Sequence, residues 1–148
     1  MKRQVALWLL ALAAVMPLAA QKGLSIAKFF DGRYRDRKDA VEVYMKGRSV
    51  ERYDLSLFRS LTLTEPGAVA ADMERCVRRD AARAVDSEVG MKGGRLYYGF
   101  YRLPADEGEN RYLFFRNDAL GSSGRRTVTL IFMQGMATPD VIRRHFMK

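Results

Sequence analysis

The chain opens with a hydrophobic pattern that differs from the rest of the sequence. Two basic residues, Lys2 and Arg3, precede an uncharged apolar run from Val5 to Met16, and a proline and the small pair Ala19-Ala20 follow it. This three-part layout is typical of a secretory signal peptide. A membrane-spanning helix needs roughly 20 apolar residues, so a cleaved leader explains the pattern better than a retained anchor. The pattern therefore predicts a cleavable signal peptide at residues 1–20.

Residues 21–148 follow as one predicted α+β domain, whose first half contains short elements. The apolar residues from Leu24 to Phe30 predict a short helix, with Ser25 as a candidate cap. Alternation of apolar and polar side chains from Ala40 to Lys46 predicts a half-buried strand. The leucines from Leu55 to Leu63 mix strand and helix spacing, and we interpret this segment as extended.

Pro66 and Gly67 begin the clearest helix signal, an alanine-rich segment that extends to about Asp86. Placed at helical spacing, its apolar side chains share one face. The opposite arc carries four arginines: Arg75, Arg78, Arg79 and Arg83. We therefore expect a long amphipathic helix that packs on the core and presents a cationic outer surface.

The C-terminal third alternates strand-like segments with turn-forming residues. The predicted strands are Arg95 to Leu103, Arg111 to Arg116 and Arg125 to Met133. Thr138-Pro139-Asp140 then predicts the capped start of a final helix. The order of elements indicates an α+β fold. Its mostly antiparallel sheet includes a C-terminal three-strand meander, with the long amphipathic helix and shorter N- and C-terminal helices packed on it.

The chain is strongly basic, with a formal net charge of +9 at pH 7, which falls to +7 if Lys2 and Arg3 leave with the signal peptide. Export would separate the protein from cytoplasmic nucleic acid, so no nucleic-acid partner is expected. The charge instead indicates an anionic glycan, a lipid head group or an acidic protein. A basic surface that serves solubility alone is the competing explanation.

Candidate catalytic groups are few, because Cys76 is the only cysteine and His145 the only histidine. Cys76 falls on the apolar face of the predicted helix and His145 lies near the C-terminus, so no nucleophile-base pair is indicated, and two such ligands are too few for zinc. The glycine-rich segment from Gly90 to Gly94 follows a predicted helix and opens a strand, the reverse of a phosphate loop. We interpret Gly90 as the helix stop and predict no catalytic residue, metal or cofactor.

Asp80 stands out because helical spacing places it beside Met73, in the middle of the apolar stripe. A buried carboxylate must be paired, since an unpaired buried charge is very costly. We expect a structural ion-pair or hydrogen-bond partner within the domain, with an arginine of the meander, Arg95, Arg111 or Arg126, as the favoured candidate.

Aromatic residues are dense in the first two meander strands, where both alternating faces carry them. The sheet is therefore either covered on both sides or exposes an aromatic, arginine-edged surface suited to glycan stacking or a protein partner. On the second alternative, the candidate binding residues are the helix arginines together with tyrosines of the sheet: Arg75, Arg78, Arg79, Arg83, Tyr97, Tyr101 and Tyr112.

Several segments resemble small exported Bacteroidota proteins that belong to domain-of-unknown-function families. They are the Ala-Gln junction after the signal peptide, the Phe29-Phe30 helix, the Val41 to Tyr44 strand and the Leu130 to Gly135 strand with its capped helix. The resemblance implies an envelope or secreted location. It supplies no catalytic residue.

Two functions from different classes follow from these features. The first is a non-enzymatic binding or interaction module of the cell envelope, periplasmic or secreted. It would carry no lipid anchor, because no cysteine lies near the predicted cleavage site, and no transmembrane segment after processing. The second is a hydrolase of unrecognised type. A concave cluster of perturbed ionisable groups would favour the enzyme, and a basic and aromatic patch the binding module.

The signal-peptide prediction has a direct spectroscopic test. Trp8 is the only tryptophan of the chain and lies in the predicted leader. Protein purified after export should therefore show no tryptophan emission, and its intact mass should exclude residues 1–20. A mass that retains residues 1–16 would show that no such leader is removed.

Overall fold

The computed structural model describes residues 23–147, so the predicted signal peptide lies outside the described residues. Six strands, three α-helices and two 3₁₀ helices make up this part of the chain. In chain order they are η1 Ser25–Phe30, β1 Ala40–Lys46, α1 Arg48–Glu51, β2 Leu55–Thr64, α2 Ala68–Ala81, β3 Asp86–Lys92, β4 Arg95–Asp106, β5 Glu109–Asn117, η2 Asp118–Leu120, β6 Thr127–Gly135 and α3 Pro139–Phe146.

The six strands form one sheet in the order β1-β2-β6-β5-β4-β3, and every neighbouring pair is antiparallel. Strands β3 to β6 are a meander, because each pairs with the next along the chain. The exception to local pairing is β2, which lies beside β6, with Leu61 opposite Leu130 near the middle of the register. The α+β class and the antiparallel sheet predicted from the sequence are thus confirmed.

Helices cover both faces of the sheet. On the first face, α2 and η1 bury Met73, Val77, Ile26 and Phe29 against leucines and aromatics of the strands. On the second face, α1 and α3 pack on a smaller cluster that includes Phe100 and Tyr112. Aromatics occupy both faces of β4 and β5 because each face has its own helical cover.

The predicted long helix is wrong at its C-terminal end, since α2 stops at Ala81 rather than near Asp86. A turn follows, in which the Ala84 N–H donates to the Ala81 carbonyl. Residues from Asp86 onward instead form β3, which pairs with β4. The alanine-rich sequence favours a helix locally, but pairing with a neighbouring strand overrides that preference.

The β3 strand also corrects the interpretation of the glycine-rich segment. Gly90 is not a helix stop but lies within β3, opposite Tyr98. Gly93 and Gly94 form the β3–β4 turn with φ values of 56° and 77°, a conformation that glycine adopts without steric cost. The meander consequently has four strands rather than the three that were predicted.

The two terminal helices of the described region differ in how they begin. At α3, the Thr138 hydroxyl accepts from the Val141 N–H at 3.4 Å and Pro139 occupies the first turn, as predicted. At η1, Leu24 is the cap and contributes no side-chain hydrogen bond. The first N–H groups of η1 therefore need an acceptor from elsewhere in the fold.

At Gly135, the last residue of β6, the backbone lies so close to that of Asp54 and Leu55 that no side chain should fit. A Cβ at Gly135 would lie 2.6 Å from both the Asp54 carbonyl oxygen and the Leu55 Cα, where backbone atoms cannot yield. We expect Gly135→Ala to lower the free energy of unfolding by about 3 kcal/mol through overpacking.

Gly90→Ala is the matched control for that substitution. Its new Cβ would lie 3.8 Å from the Tyr98 Cβ, an ordinary contact. Urea denaturation should place this variant within about 0.5 kcal/mol of the parent. Equal destabilisation of the two variants would contradict the crowding argument at Gly135.

Candidate functional site

The four arginines named from the sequence fall into two groups, and Arg83 lies in the turn after α2 rather than on the helix. Arg75 forms an ion pair with Asp72, which Lys28 also contacts at 2.7 Å. Arg78 pairs with Glu74 at 3.0 Å, and its Nη2 donates to the Gly94 carbonyl. Each of these two guanidinium groups contacts a carboxylate of its own helix, which it shares with Lys28 in the case of Asp72 and with Arg95 in the case of Glu74.

Arg79 and Arg83 form the second group. Both are exposed, and within residues 23–147 neither guanidinium has an ion-pair or hydrogen-bond partner. Both line a cleft of about 410 Å³ beside the start of η1. The other lining residues are Gly23, Leu24, Ser25, Asp80, Leu103, Pro104 and Arg111.

Arg111 brings a third guanidinium to this cleft from β5. Its Nε donates to the Pro104 carbonyl oxygen at 2.9 Å, which fixes the side chain across the β4–β5 hairpin. Among the described residues, its two terminal nitrogens have no hydrogen-bond partner. The cleft therefore combines three cationic side chains, from α2, from the turn that follows α2 and from β5.

Asp80 is the only carboxylate among the lining residues, and it is 8 % exposed. Its Oδ1 accepts from the Ser25 N–H at 2.7 Å and its Oδ2 from the Ile26 N–H at 2.9 Å. The side chain thus supplies the acceptors that the start of η1 lacks, because its position on α2 faces that end of the 3₁₀ helix. Asp80 forms no ion pair with a cleft arginine within residues 23–147.

The arginines favoured as partners of Asp80 contact other groups. Arg95 pairs with Glu74 at 3.0 Å, Arg126 pairs with Glu65 at 2.8 Å, and Arg111 bonds to Pro104. The carboxylate is satisfied by backbone donors instead. Helical spacing places Asp80 on the apolar face of α2, but it carries no information about the segment that packs there.

The cleft has the chemistry of an anion-binding site. Guanidinium groups present several N–H donors in a planar fork that matches carboxylate, phosphate or sulfate oxygens. Three cations face one carboxylate, whose two oxygens already accept hydrogen bonds from the backbone. Leu24, Leu103 and Pro104 add apolar walls. This arrangement is suited to holding an anionic group beside an apolar surface.

The tyrosines named with these arginines do not belong to the cleft. Tyr112 is fully buried, where its hydroxyl donates to the Ala137 carbonyl at 2.6 Å, and Tyr101 is 5 % exposed beneath α2. Tyr112 is therefore closed off from the surface, whereas Tyr101 borders a shallow groove between α2 and β3. Neither ring lines the cleft, because the helices pack on both faces of β4 and β5.

Tyr97 is partly exposed at the far end of the sheet. Its hydroxyl accepts from Arg116 Nη2 at 3.1 Å, and Lys92 Nζ lies 4.0 Å from the ring centroid. These contacts place it in a small cation–aromatic group that includes none of the residues lining the cleft.

The two reactive side chains weighed from the sequence, Cys76 and His145, lie on different helices, α2 and α3. Cys76 is 4 % exposed, and burial raises the pKa of its thiol, which lowers the thiolate fraction available as a nucleophile. His145 is exposed on α3, with its ring 5.1 Å from that of Tyr53. Within residues 23–147, no cluster of three or more His, Cys, Asp or Glu side chains could hold a metal ion.

Sequence reasoning named Arg79 and Arg83 as binding residues but missed the role of Arg111 and the walls at Leu103 and Pro104. These residues lie on a different element from the helix, and only the packing of α2 beside the β4–β5 hairpin brings them together. A basic residue next to a turn is too common to have signalled the site.

The described part of the chain therefore has an α+β fold, in which helices pack on both faces of an antiparallel sheet and a basic cleft lies at one end of α2. None of its helices is long and apolar enough to cross a membrane. The chain belongs to a family of unknown function, DUF6108, whose model matches residues 13–146. No curated protein and no solved structure shows significant similarity to it.

The contact between Asp80 and η1 should contribute measurably to stability. Asp80→Ala removes the acceptor of two backbone N–H groups, one of them buried, so we expect the free energy of unfolding to fall by on the order of 2–3 kcal/mol. Asp80→Asn, which keeps one acceptor oxygen, should fall between the parent and the alanine variant in a denaturant melt.

Asp36→Ala serves as the control, because Asp36 is exposed in a loop and should change stability by no more than about 0.5 kcal/mol. If Asp80→Ala matched this control, the two hydrogen bonds to η1 would not stabilise the fold.

Proposed function

We propose that the protein is an exported, non-enzymatic binding module that holds an anionic group of an envelope or extracellular ligand in the cleft lined by Arg79, Arg83 and Arg111. The observation that carries the proposal is that two of these guanidinium groups have no ion-pair or hydrogen-bond partner among the described residues. These two are Arg79 and Arg83, whereas Arg75 and Arg78 of α2 each have a carboxylate.

Electrostatics explains why such a cluster favours an anion. Like charges repel more strongly beside a protein surface than in bulk water, and three guanidinium groups line this cleft. The repulsion among neighbouring guanidinium groups is relieved when an anion binds between them. Solvent and salt screen part of this repulsion, so we expect binding to weaken as ionic strength rises.

The shape of the cleft favours a small acidic unit over an extended protein surface. Ligand-binding cavities typically measure about 300–1,000 Å³, and this cleft, at about 410 Å³, is near the lower end. One sugar residue combines a carboxylate or sulfate with an apolar ring face, which suits guanidinium donors beside the partly exposed Leu24 and Pro104. Of the three classes of partner that the basic charge indicated, an acidic glycan is therefore our choice.

The predicted export also favours an acidic glycan, because such ligands are available outside the cytoplasm. The apolar leader predicted at residues 1–20 would direct the chain to the periplasm or the exterior, where acidic polysaccharides are available and nucleic acid is scarce. The formal net charge expected after processing would concentrate anionic ligands near the protein.

Binding of a defined acidic glycan tests the proposal. The probe is fluorescein-labelled oligogalacturonate, titrated with purified protein and followed by fluorescence anisotropy. A neutral maltooligosaccharide of the same length should not bind. Replacing both free arginines, Arg79→Gln with Arg83→Gln, should weaken binding by at least about tenfold, since each loses a charge-assisted hydrogen bond.

The matched control removes the same charge from the opposite side of the sheet, with Arg48→Gln and Arg144→Gln. Both residues are exposed, on α1 and α3 respectively. This variant should retain binding close to that of the parent. Equal losses in the two double variants would indicate attraction to overall charge, and no binding of the probe by the parent protein would reject an acidic glycan as the ligand.

A further inference from the structure

The two edge strands of the sheet carry the same short sequence pattern. In β1 the residues from Glu42 to Lys46 read Glu-Val-Tyr-Met-Lys, and in β3 the residues from Glu88 to Lys92 read Glu-Val-Gly-Met-Lys. A glycine follows the pattern in both places. The two strands therefore present closely similar side chains at opposite ends of the sheet.

This pattern is complementary to itself in an antiparallel pair. If two copies align about the central residue, the glutamate of each lies opposite the lysine of the other, and the valine lies opposite the methionine. Opposite charges and apolar pairs directly across from one another stabilise an antiparallel ladder. If the register shifts by one residue, glutamate no longer lies opposite lysine and valine no longer lies opposite methionine. The pattern therefore also selects a register.

The β1 strand has the properties of an edge that can accept another strand. It pairs with β2 over seven residues without a bulge, and it contains no proline. Val41 is 62 % exposed and Tyr44 is 57 % exposed. In an antiparallel ladder only alternate residues bond to the neighbouring strand, so the remaining N–H and C=O groups of β1 point outward.

The β3 strand is less suited to the same pairing. Its register with β4 shifts between Gly90 and Met91, and such irregularities protect sheet edges from further strands. Its central residue is glycine, which weakens strand pairing. Glu88, which would have to pair with a lysine of the second copy, contacts Arg143 of α3 at 3.2 Å.

Pairing of β1 with β3 of another copy is also disfavoured by the faces on which the side chains lie. The β1 residues Val43 and Met45 share the second face of the sheet, where Met45 packs with α1 and α3. In β3, Val89 and Met91 lie on the first face, where they border a groove beside α2. Joining opposite edges antiparallel keeps the faces aligned, so Val89 would meet Glu42, Tyr44 or Lys46 of β1 rather than Met45. The complementary register is available only between identical edges.

We propose that β1 is a homodimer interface in which two copies of this chain pair antiparallel about Tyr44. Glu42 of each copy lies opposite Lys46 of the other, and Val43 lies opposite Met45. The Tyr44 rings meet at the two-fold axis, each backed by Arg59, whose guanidinium carbon is 4.7 Å from the ring centroid. The two six-stranded sheets become one continuous sheet, and because the symmetry is two-fold the assembly stops at a dimer.

Sedimentation velocity of the purified protein over a wide range of concentrations tests this arrangement. The parent should show a reversible monomer–dimer equilibrium. Lys46→Glu places glutamate opposite Glu42 at both ends of the interface, and it should weaken dimerisation by about tenfold or more. The exchange of both charges, Glu42→Lys with Lys46→Glu, should restore the parent dissociation constant.

Two further measurements distinguish this interface from a general effect of charge. An equimolar mixture of Glu42→Lys protein and Lys46→Glu protein should form heterodimers, although each alone is mostly monomeric. Lys92→Glu makes the same change in the matching position of β3 and should leave the equilibrium unaltered. Circular dichroism checks that every variant keeps the fold.

The proposal is overturned if the parent remains a monomer at every concentration. It is also overturned if a dimer forms but responds to Lys92→Glu and not to Lys46→Glu, which would assign the contact to β3. Failure of the charge exchange to restore association, in a folded protein, would exclude the register about Tyr44.

Discussion

The pairing of β2 with β6 is the contact on which the rest of the fold depends. It joins the first half of the chain to the last, with a register that runs from Leu55 opposite Gly135 to Thr64 opposite Thr127. Without it, the β1–β2 hairpin and the four-strand meander would be separate sheets, each with an exposed apolar face. Both helical layers need this central pair, because their apolar clusters each contain residues from β2 and from β6.

Much of the secondary structure could be predicted from the sequence because the signals are local. The β1 strand, the turns of the meander and the Thr138 cap each occupy a few adjacent residues, and the structure contains all of them. The half-buried character predicted for β1 is wrong, because β1 is an edge strand whose side chains are mostly exposed. β3 was missed because its residues follow an alanine-rich helix without a breaker, and strand pairing rather than intrinsic preference decides their conformation. The local sequence does not show that another strand will pair with these residues.

The candidate site was predicted only in part, and the errors have a common physical origin. Alternation shows that both faces of the first two meander strands carry aromatic side chains, but it does not show whether a helix packs on each face. Helical spacing likewise places Asp80 among apolar neighbours without naming the segment that meets it. Arg111 joins Arg79 and Arg83 only through tertiary packing. Each error concerns which element lies against another.

The 3₁₀ helix η1 is held at both ends by charged side chains from other elements. Asp80 accepts from its first N–H groups, and Arg59 Nη2 donates to the Phe30 carbonyl at 2.8 Å. Between these two points η1 covers part of the core with Ile26 and Phe29, so its detachment would be a sub-global opening that amide hydrogen exchange could resolve from complete unfolding. Ser25 and Asp80 also line the cleft. A ligand that binds the cleft only while η1 is docked would therefore slow exchange of the η1 amides, and by thermodynamic linkage a change that stabilises the docked η1 would raise the affinity for that ligand.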